Sequence, residues 1–438
     1  MKKVLSTVAA LGLVAGLAST AAAVEFKMSG NYLVEGAYLS DAQGTGMDVT
    51  EAAGESTPSD AYWLHTFEMR PTMKVNDKIS MSSTIRLADD TFWGGQADGD
   101  VQAGRGIGDA AGDVEVWHMY MDYASPIGKM RFGRVPAGPY GTAFRDYDSR
   151  GDRIMLWPSL LADGPWSTLF YIQKNTDNFQ VTTNETDIDS DAYVARLYYK
   201  TDALDAGVHY GFTNNMTTIT KSDRKQELSA YGKYKVDNYF LNAELTHFFG
   251  EVDYDAAATL DTDYDSWAGM LQVGGKFDAL TPSLMYFYAQ GDDNSADDEL
   301  NSALSSTGTG DLFEPLYILT GRHTGMLNPD LFNGHTTAMS RDGVHAIVAA
   351  ADYVVSPQLS LHGAIGWAQA DETPVANTLQ DDEYGWEYNV GAAYKLLDNL
   401  TYEAHFGYLD TGDYFNGNTT TDTTENVYLL THSLTMTF

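Results

Sequence analysis

The chain has 438 residues and no cysteine, and its 61 acidic residues outnumber its 26 lysines and arginines, which gives a formal net charge of −35 at pH 7. The absence of cysteine excludes disulfide bonds, thiolate metal sites and cysteine nucleophiles. The negative charge argues against binding of nucleic acid or anionic lipid headgroups through a basic surface.

The N-terminal segment has the pattern of a secretory signal peptide. Lys2 and Lys3 precede an apolar run from Val4 to Leu17, and small residues follow up to Ala23. We expect residues 1–23 to be a signal peptide that is cleaved after Ala23, so that the mature chain is exported. No later segment offers the ~18 uncharged apolar residues of a transmembrane helix. If the mature chain spans a membrane, it must therefore do so as a β-barrel.

The mature chain begins with a two-faced segment, because successive side chains of a strand point to opposite faces. Its apolar and polar positions alternate: Phe26, Met28, Tyr32 and Val34 against Lys27, Ser29, Asn31 and Glu35. A second alternating run, from Trp63 to Val75, leads into a tight turn at residues 76–78 and continues from Ile79 to Leu87. This pattern predicts a β-hairpin.

The same unit recurs along the chain. Short turns alternate with long polar loops, and further turns lie near residues 125–128, 201–205, 237–238, 278–280, 356–358 and 397–399. This alternation is typical of a transmembrane antiparallel β-barrel with short periplasmic turns and long, here acidic, extracellular loops. We count about 18 strands, or 16 if the weakly periodic segments Arg153–Trp157 and Val344–Ala351 are not strands. The sequence therefore predicts an all-β chain with one barrel domain, residues 24–438.

The polar faces of these strands predict a water-filled lumen. A barrel of ~8 strands fills its interior with side chains, whereas ~16–18 strands leave an aqueous channel. Aromatic residues near strand ends, such as Trp267 and Trp386, are typical of interfacial girdles on the opposite face. The candidate lumen-lining residues are Arg70, Arg86, Arg131, Arg196, Lys233, Lys276, Glu68, Glu227 and Glu244.

The loop at about residues 136–152 follows the fifth predicted strand, which ends in Gly133-Arg134. In position and preceding sequence it resembles the third outer loop of the general porins of Gram-negative outer membranes, which folds inward and narrows the channel. Mixed charges at such a waist sort solutes by the sign of their charge. The alternative is an exposed loop whose arginines and aspartates pair with each other. The resemblance implies a pore constriction formed by Arg134, Tyr140, Arg145, Asp146, Asp148, Arg150, Asp152 and Arg153.

The longest outer loop covers about residues 292–342 and is too apolar for simple disorder, so we expect it to pack as a plug or lid. Its Phe313–Tyr317 stretch, the following Gly325 and the strand number resemble the alginate-export family of outer-membrane barrels. That resemblance implies transport of an anionic polysaccharide through a basic lumen. The two family resemblances disagree on assembly, since porins are commonly trimers and the export barrels are monomers.

The last strand also carries a signal. Its alternate apolar positions end at an aromatic chain terminus, which resembles the C-terminal signal of Gram-negative outer-membrane barrels and implies recognition by the barrel assembly machinery. The same residues would continue the lipid-facing register of the first strand, with which they must pair to close a barrel. They are Tyr428, Leu430, Leu434, Met436 and Phe438.

Together these patterns predict an outer-membrane porin, not an enzyme, that lets small hydrophilic solutes diffuse passively. The alternatives are an alginate-export-like channel for anionic oligo- or polysaccharides and an outer-membrane hydrolase barrel. Expected partners are outer-membrane lipids, lipopolysaccharide and a homotrimer, without nucleic acid. We predict no cofactor and no metal site. The spacing Asp187-x-Asp189-x-Asp191 opens like a calcium loop, but Ala192 and Tyr198 occupy the positions that require glycine and glutamate.

Overall fold

The computed structural model describes residues 24–438, except 41, 44–45, 48–49, 52–58, 94–113, 137, 147–149, 162–163, 177–188, 219–220, 255–260, 295–296, 305–308, 311, 325, 328–340, 374–380 and 417–422. The predicted signal peptide, residues 1–23, lies outside this part of the chain. In the described residues no helix has both the length and the apolar character needed to cross a membrane.

Eighteen antiparallel strands form one closed barrel, as predicted. They are β1 Glu25–Leu39, β2 Asp60–Lys74, β3 Ile79–Phe92, β4 Glu115–Ser125, β5 Gly128–Pro136, β6 Arg150–Pro158, β7 Trp166–Thr176, β8 Ser190–Lys200, β9 Leu204–Thr218, β10 Lys221–Val236, β11 Tyr239–Tyr254, β12 Thr262–Gly275, β13 Leu280–Ala289, β14 Val344–Val354, β15 Leu359–Gln369, β16 Glu383–Leu397, β17 Leu400–Thr411 and β18 Val427–Thr437. Both weakly periodic segments are strands, β6 and β14.

Each strand pairs with its neighbours in the chain, and β1 pairs with both β2 and β18. The closing register runs from Asn31 opposite Thr437 to Leu39 opposite Leu429. Shorter pieces lie in the loops. Ala42–Gln43 pairs with Gly46–Met47, Thr50–Glu51 pairs with Thr423–Thr424, and Glu299–Leu300 runs parallel to β12.

The period-two pattern gives the wall two different faces. On β1, Phe26 is 52% exposed on the outward face, whereas Glu35 is 7% exposed on the inward face. The alternate residues of β18 named above are likewise exposed, in register with the outward residues of β1. An apolar belt therefore covers the outside of the barrel, and polar side chains point inward.

The two ends of the barrel differ in their connections. Val24, the first described residue, the C-terminal Phe438 and the short turns lie at one end, where Asp237 and Asp278 adopt positive φ angles of 51° and 53° in two tight turns. Most long loops lie at the other end. One connection at that end is short, because only residues 219–220 separate β9 from β10. The alternation of the sequence predicts this strand from Leu228 to Val236, whereas β10 begins at Lys221, because its first residues extend the hairpin with β9 beyond the apolar belt.

The buried core lies inside the barrel. Two segments fold inward, residues 138–146 between β5 and β6 and the described residues of 309–327 between β13 and β14. We call them the first arm and the second arm. Large side chains of both arms, such as Phe144 and Leu316, form one apolar cluster with inward residues of β11–β18 and β1. One side of the barrel interior is thus filled by protein.

Candidate functional site

The first arm lies against the inner wall and is fixed by hydrogen bonds to two strands. The Tyr140 hydroxyl donates to the Ser229 carbonyl on β10 over 2.8 Å. The backbone N–H and the hydroxyl of Thr142 both donate to Glu244 on β11 over 2.6 Å. A Cβ at Gly141, whose φ is +78°, would lie 2.5 Å from the Glu244 carboxylate, so this close approach requires glycine. Burial raises the pKa of the Tyr140 hydroxyl, which therefore stays a neutral donor.

The second arm is bound to another part of the wall, at β16, through its backbone. The two carboxylate oxygens of Glu387 on β16 accept hydrogen bonds from the N–H groups of Ile318 and Leu319, each over 2.8 Å. Beside this anchor, three inward glycines on adjacent strands make room for arm side chains. A Cβ at these positions would lie 2.7 to 3.2 Å from atoms of Leu316, Tyr317 and Ile318 respectively, and the glycines are Gly366, Gly391 and Gly407.

The far end of the second arm reaches β1, β2 and β3. Arg322 and His323 both bind the buried carboxylate of Glu35, the His323 Nε2 over 2.8 Å. The other ring nitrogen of His323 is hydrogen-bonded to the Tyr62 hydroxyl over 2.8 Å. Arg322 also lies 3.6 Å from Asp90. Charged and polar contacts thus fix this part of the arm to β1, β2 and β3.

The two arms meet in the barrel interior. The N–H of Gly310 donates to the carbonyl of Phe144 over 2.8 Å. The ring of Phe313 packs edge-on against Phe144 and Phe287, with centroids 5.1 and 5.0 Å apart. Together the arms form a partial inner ring that follows the wall from β8 through β18 to β3.

Four cations converge on one side of the first arm, in a cavity of about 270 Å³. We call this cavity the basic compartment. Its arginines are held by neighbours, since Arg153 donates to Gln173 over 2.6 Å and Arg196 donates to His209 over 3.0 Å. The cations are Arg145, Arg153, Arg196 and Lys225, and the acids that share the cavity are Asp146 and Glu227.

A larger cavity of about 490 Å³ lies on the other side of the first arm, toward the short-turn end. Thr142 and Ala143 of the arm form part of its lining, together with Lys200, Lys233 and Lys235. The first arm therefore stands between two basic cavities.

The comparisons with known proteins agree with the barrel fold. A family model described as a porin subfamily matches residues 170–436, more than half of the chain. The chain belongs to this porin subfamily. Porins are channels, and this porin is a Gram-negative outer-membrane protein for passive diffusion of small solutes. No curated protein sequence gives a significant match.

Solved porin structures share the fold. OpdQ of Pseudomonas aeruginosa matches with a TM-score of 0.53 and 14% identity over 94% of this chain and 97% of that chain. OccAB4 of Acinetobacter baumannii matches with a TM-score of 0.54 and 13% identity over 94% and 98%. OccK8 (OprE) of P. aeruginosa matches with a TM-score of 0.53 and 12% identity over the same shares. At these identities the likeness shows the fold alone.

The porin structure brings together only part of the predicted constriction. Tyr140, Arg145, Asp146 and Arg153 line the basic compartment. Arg150 lies elsewhere, in an ion pair with Glu115 and stacked on Trp117. Asp148 lies outside the described residues.

Arg134 and Asp152 must be removed from the predicted constriction. They face each other across β5 and β6, and Arg134 is also opposite Met119 of β4. Partners in an antiparallel ladder share a face. Met119 is 50% exposed on the apolar outer face, so Arg134 and Asp152 point away from the lumen. The alternation from Arg131 already implies this, because Gly133 and Val135 take the inward positions of β5.

The other predicted lumen residues lie in separate places. Glu68 forms ion pairs with both Arg70 and Arg86, and Arg131 forms a bidentate ion pair with Asp122. Arg196 and Glu227 line the basic compartment, and Lys233 lines the larger cavity on the short-turn side of the first arm. Glu244 holds the first arm, and Lys276 is exposed beside a periplasmic turn.

Sequence reasoning missed several residues of the porin site. Lys225 was overlooked because the predicted strand began at Leu228, although Lys225 and Glu227 alternate in register. Tyr171, Gln173 and His209 also line the compartment, and only their inward position on predicted strands could have marked them.

Proposed function

We propose that small hydrophilic anions cross this porin through the basic compartment beside the first arm. The observation behind this proposal is the convergence of four cations in one cavity, Arg145, Arg153, Arg196 and Lys225. Such a basic site is unexpected by chance, because the chain as a whole is strongly acidic. Guanidinium groups bind carboxylate and phosphate groups with two parallel hydrogen bonds and stay charged at any working pH. A row of such groups lowers the barrier for an anion and raises it for a cation.

The inner ring favours small solutes over a polysaccharide. The Phe313–Tyr317 stretch, on which the resemblance to alginate-export barrels depends, belongs to the second arm and packs against the wall. Its side chains contribute to the core cluster, with Phe313 and Leu316 both buried. Because protein fills one side of the lumen, the route left for a solute runs past the first arm and is narrower than the whole barrel.

The experiment is reversal-potential measurement in planar bilayers under a KCl gradient. We expect anion preference for the wild type and a shift toward cations when Arg153, Arg196 and Lys225 are all replaced by glutamine. Lys174→Gln is the control, because this lysine lies opposite the outward-facing Asp152 in the ladder and is ion-paired with Asp189. An unchanged reversal potential in the triple variant would refute the proposed path, and a lack of conductance in the wild type would refute the channel itself.

We also propose that the precursor is cleaved after Ala23 and that the alternate residues of β18 ending at Phe438 form the signal for the barrel assembly machinery. Outer-membrane lipids and lipopolysaccharide would contact the apolar belt, and the oligomer would be a homotrimer. Lys2, Lys3 and the small residues before Ala23 support cleavage. N-terminal sequencing of protein from outer membranes should start at Val24. Another start would refute the cleavage site.

A further inference from the structure

We propose that Glu244 and Glu387 are positioning residues that set the bore of this porin by holding the two arms of the inner ring through backbone N–H groups. This inference rests on the proposed path past the first arm. Neither glutamate needs to touch the solute.

The first observation is the burial and position of the two carboxylates. Glu244 is 4% exposed on β11 and Glu387 is 0% exposed on β16, and both point inward from rigid strands. A buried carboxylate is stable only where it is hydrogen-bonded. Their arm partners include the N–H of Thr142 for Glu244 and the N–H groups of Ile318 and Leu319 for Glu387.

The second observation is the shape of the wall around each anchor. Gly141 lets the first arm approach the Glu244 carboxylate closely. Around Glu387, Gly366, Gly391 and Gly407 receive the side chains of three successive arm residues. Both carboxylates are therefore surrounded by features that fit an arm in one position. If a carboxylate is removed, buried N–H groups lose their acceptor, and the arm regains partners only by moving toward water.

The third observation is the link between the arms. Phe144 of the first arm and Gly310 and Phe313 of the second arm are in direct contact. The first arm separates the basic compartment from the cavity toward the periplasm. Loss of its anchor would join these two cavities and widen the path. Conductance should therefore depend on Glu244, although this residue lies behind the arm.

The main experiment uses thiol labelling, because the chain has no cysteine of its own. Ile318→Cys introduces one thiol at a position that is 0% exposed, and Leu312→Cys introduces one at a position that is 81% exposed. In folded protein in liposomes, a membrane-impermeant maleimide should label the second rapidly and the first slowly. Adding Glu387→Ala to Ile318→Cys should raise its labelling rate by about tenfold or more, through local release of the arm.

Two further variants distinguish anchoring from general damage. Glu387→Gln keeps an oxygen acceptor for only one of the two N–H groups, so its labelling rate should lie between those of the Glu387 parent and Glu387→Ala. Glu403→Ala removes another inward carboxylate, on β17, and should leave Ile318→Cys protected. Heat-modifiable migration on gels verifies that each barrel is folded. If Glu387→Ala does not assemble, Glu387→Asp, whose shorter side chain cannot reach both N–H groups, replaces it with the same expectation.

Conductance gives the readout for the first arm. Glu244→Ala should produce larger and noisier single-channel currents than the wild type, and Glu244→Gln should lie close to the wild type. Continued protection of Ile318→Cys in the Glu387 variant, or an unchanged current in Glu244→Ala, would overturn the proposal. Labelling does not need conduction, so a failure of anchoring is distinguishable from a failure of the proposed anion path.

Discussion

The ring of Phe438 lies over Gly30 at the seam where the barrel closes. The two residues exchange backbone hydrogen bonds of 2.9 and 3.0 Å, and a Cβ at Gly30 would lie 2.6 Å from the Phe438 ring. The ring also reaches Phe67 on the next strand, with centroids 6.3 Å apart. The chain terminus thus bridges three strands across the closing seam.

This contact predicts an assembly defect. Gly30→Val should lower the fraction of folded barrel in outer membranes severalfold, because the added side chain collides with the Phe438 ring and with the Glu68 carbonyl. Heat-modifiable gel migration measures that fraction. Gly232→Ala is the control, since a Cβ at this strand glycine meets nothing within 4 Å. Equal folded fractions for the two variants would contradict the role of the contact.

The glycines beneath the second arm predict a change in conduction. In Gly391→Leu the new side chain occupies the place of Tyr317, whose hydroxyl lies 2.9 Å from the Cβ position, so the arm must shift. We expect altered single-channel conductance and faster thiol labelling at position 318. Gly363→Leu adds the same side chain on the outward face of the adjacent strand and should conduct as the wild type does. Wild-type conductance in both variants would show that the arm does not shape the path.

Tyr140 predicts sensitivity to alkaline pH. Burial raises its pKa in the folded protein above the value of about 10 in an unfolded chain. A raised pKa contributes stability that is fully present below pH ~10 and is lost as the pH rises toward the folded value. The free energy of unfolding in urea should therefore fall more steeply between pH 9 and pH 11 in the wild type than in Tyr140→Phe. Parallel slopes would argue against a buried, neutral Tyr140.

We expect a favourable coupling energy between Arg131 and Asp122 in the free energy of unfolding. Its two hydrogen bonds measure 2.6 and 2.9 Å, and both side chains are mostly buried. Asp122→Asn should lower the free energy of unfolding by about 1.5–3 kcal/mol, because the guanidinium loses its charged acceptor. In the Asp122→Asn background, Arg131→Gln should cost much less than it does alone. Additive losses in this double-mutant cycle would show that the pair is not coupled.

The sequence predicted the barrel well because its strongest pattern has a simple physical cause. Alternation reports which side of the wall a residue occupies, and it held from Phe26 on β1 to Phe438 after β18. It predicted the strand number, the pairing of the first and last strands and the inward position of Glu35. The packed nature of the long loop also followed from its apolar residues.

The site was predicted only in part, because its contacts join distant parts of the chain. Nothing near Glu387 in the sequence shows that it accepts hydrogen bonds from Ile318 and Leu319. Gly366, Gly391 and Gly407 are needed because side chains of the second arm pack against them, and this packing is not visible in the sequence. Arg134 and Asp152 were assigned to the constriction because they are close to the loop in sequence. The alternation of β5 and β6 instead places both on the outer face.

The anchoring of both arms through backbone N–H groups has a practical consequence for nanopore engineering. Wall carboxylates fix the path of the arms, while Leu312 of the second arm is 81% exposed. This position can be exchanged for a reporter or recognition group without redesign of the scaffold. The absence of cysteine lets a single introduced thiol place an analyte-binding adaptor at a chosen point of the bore.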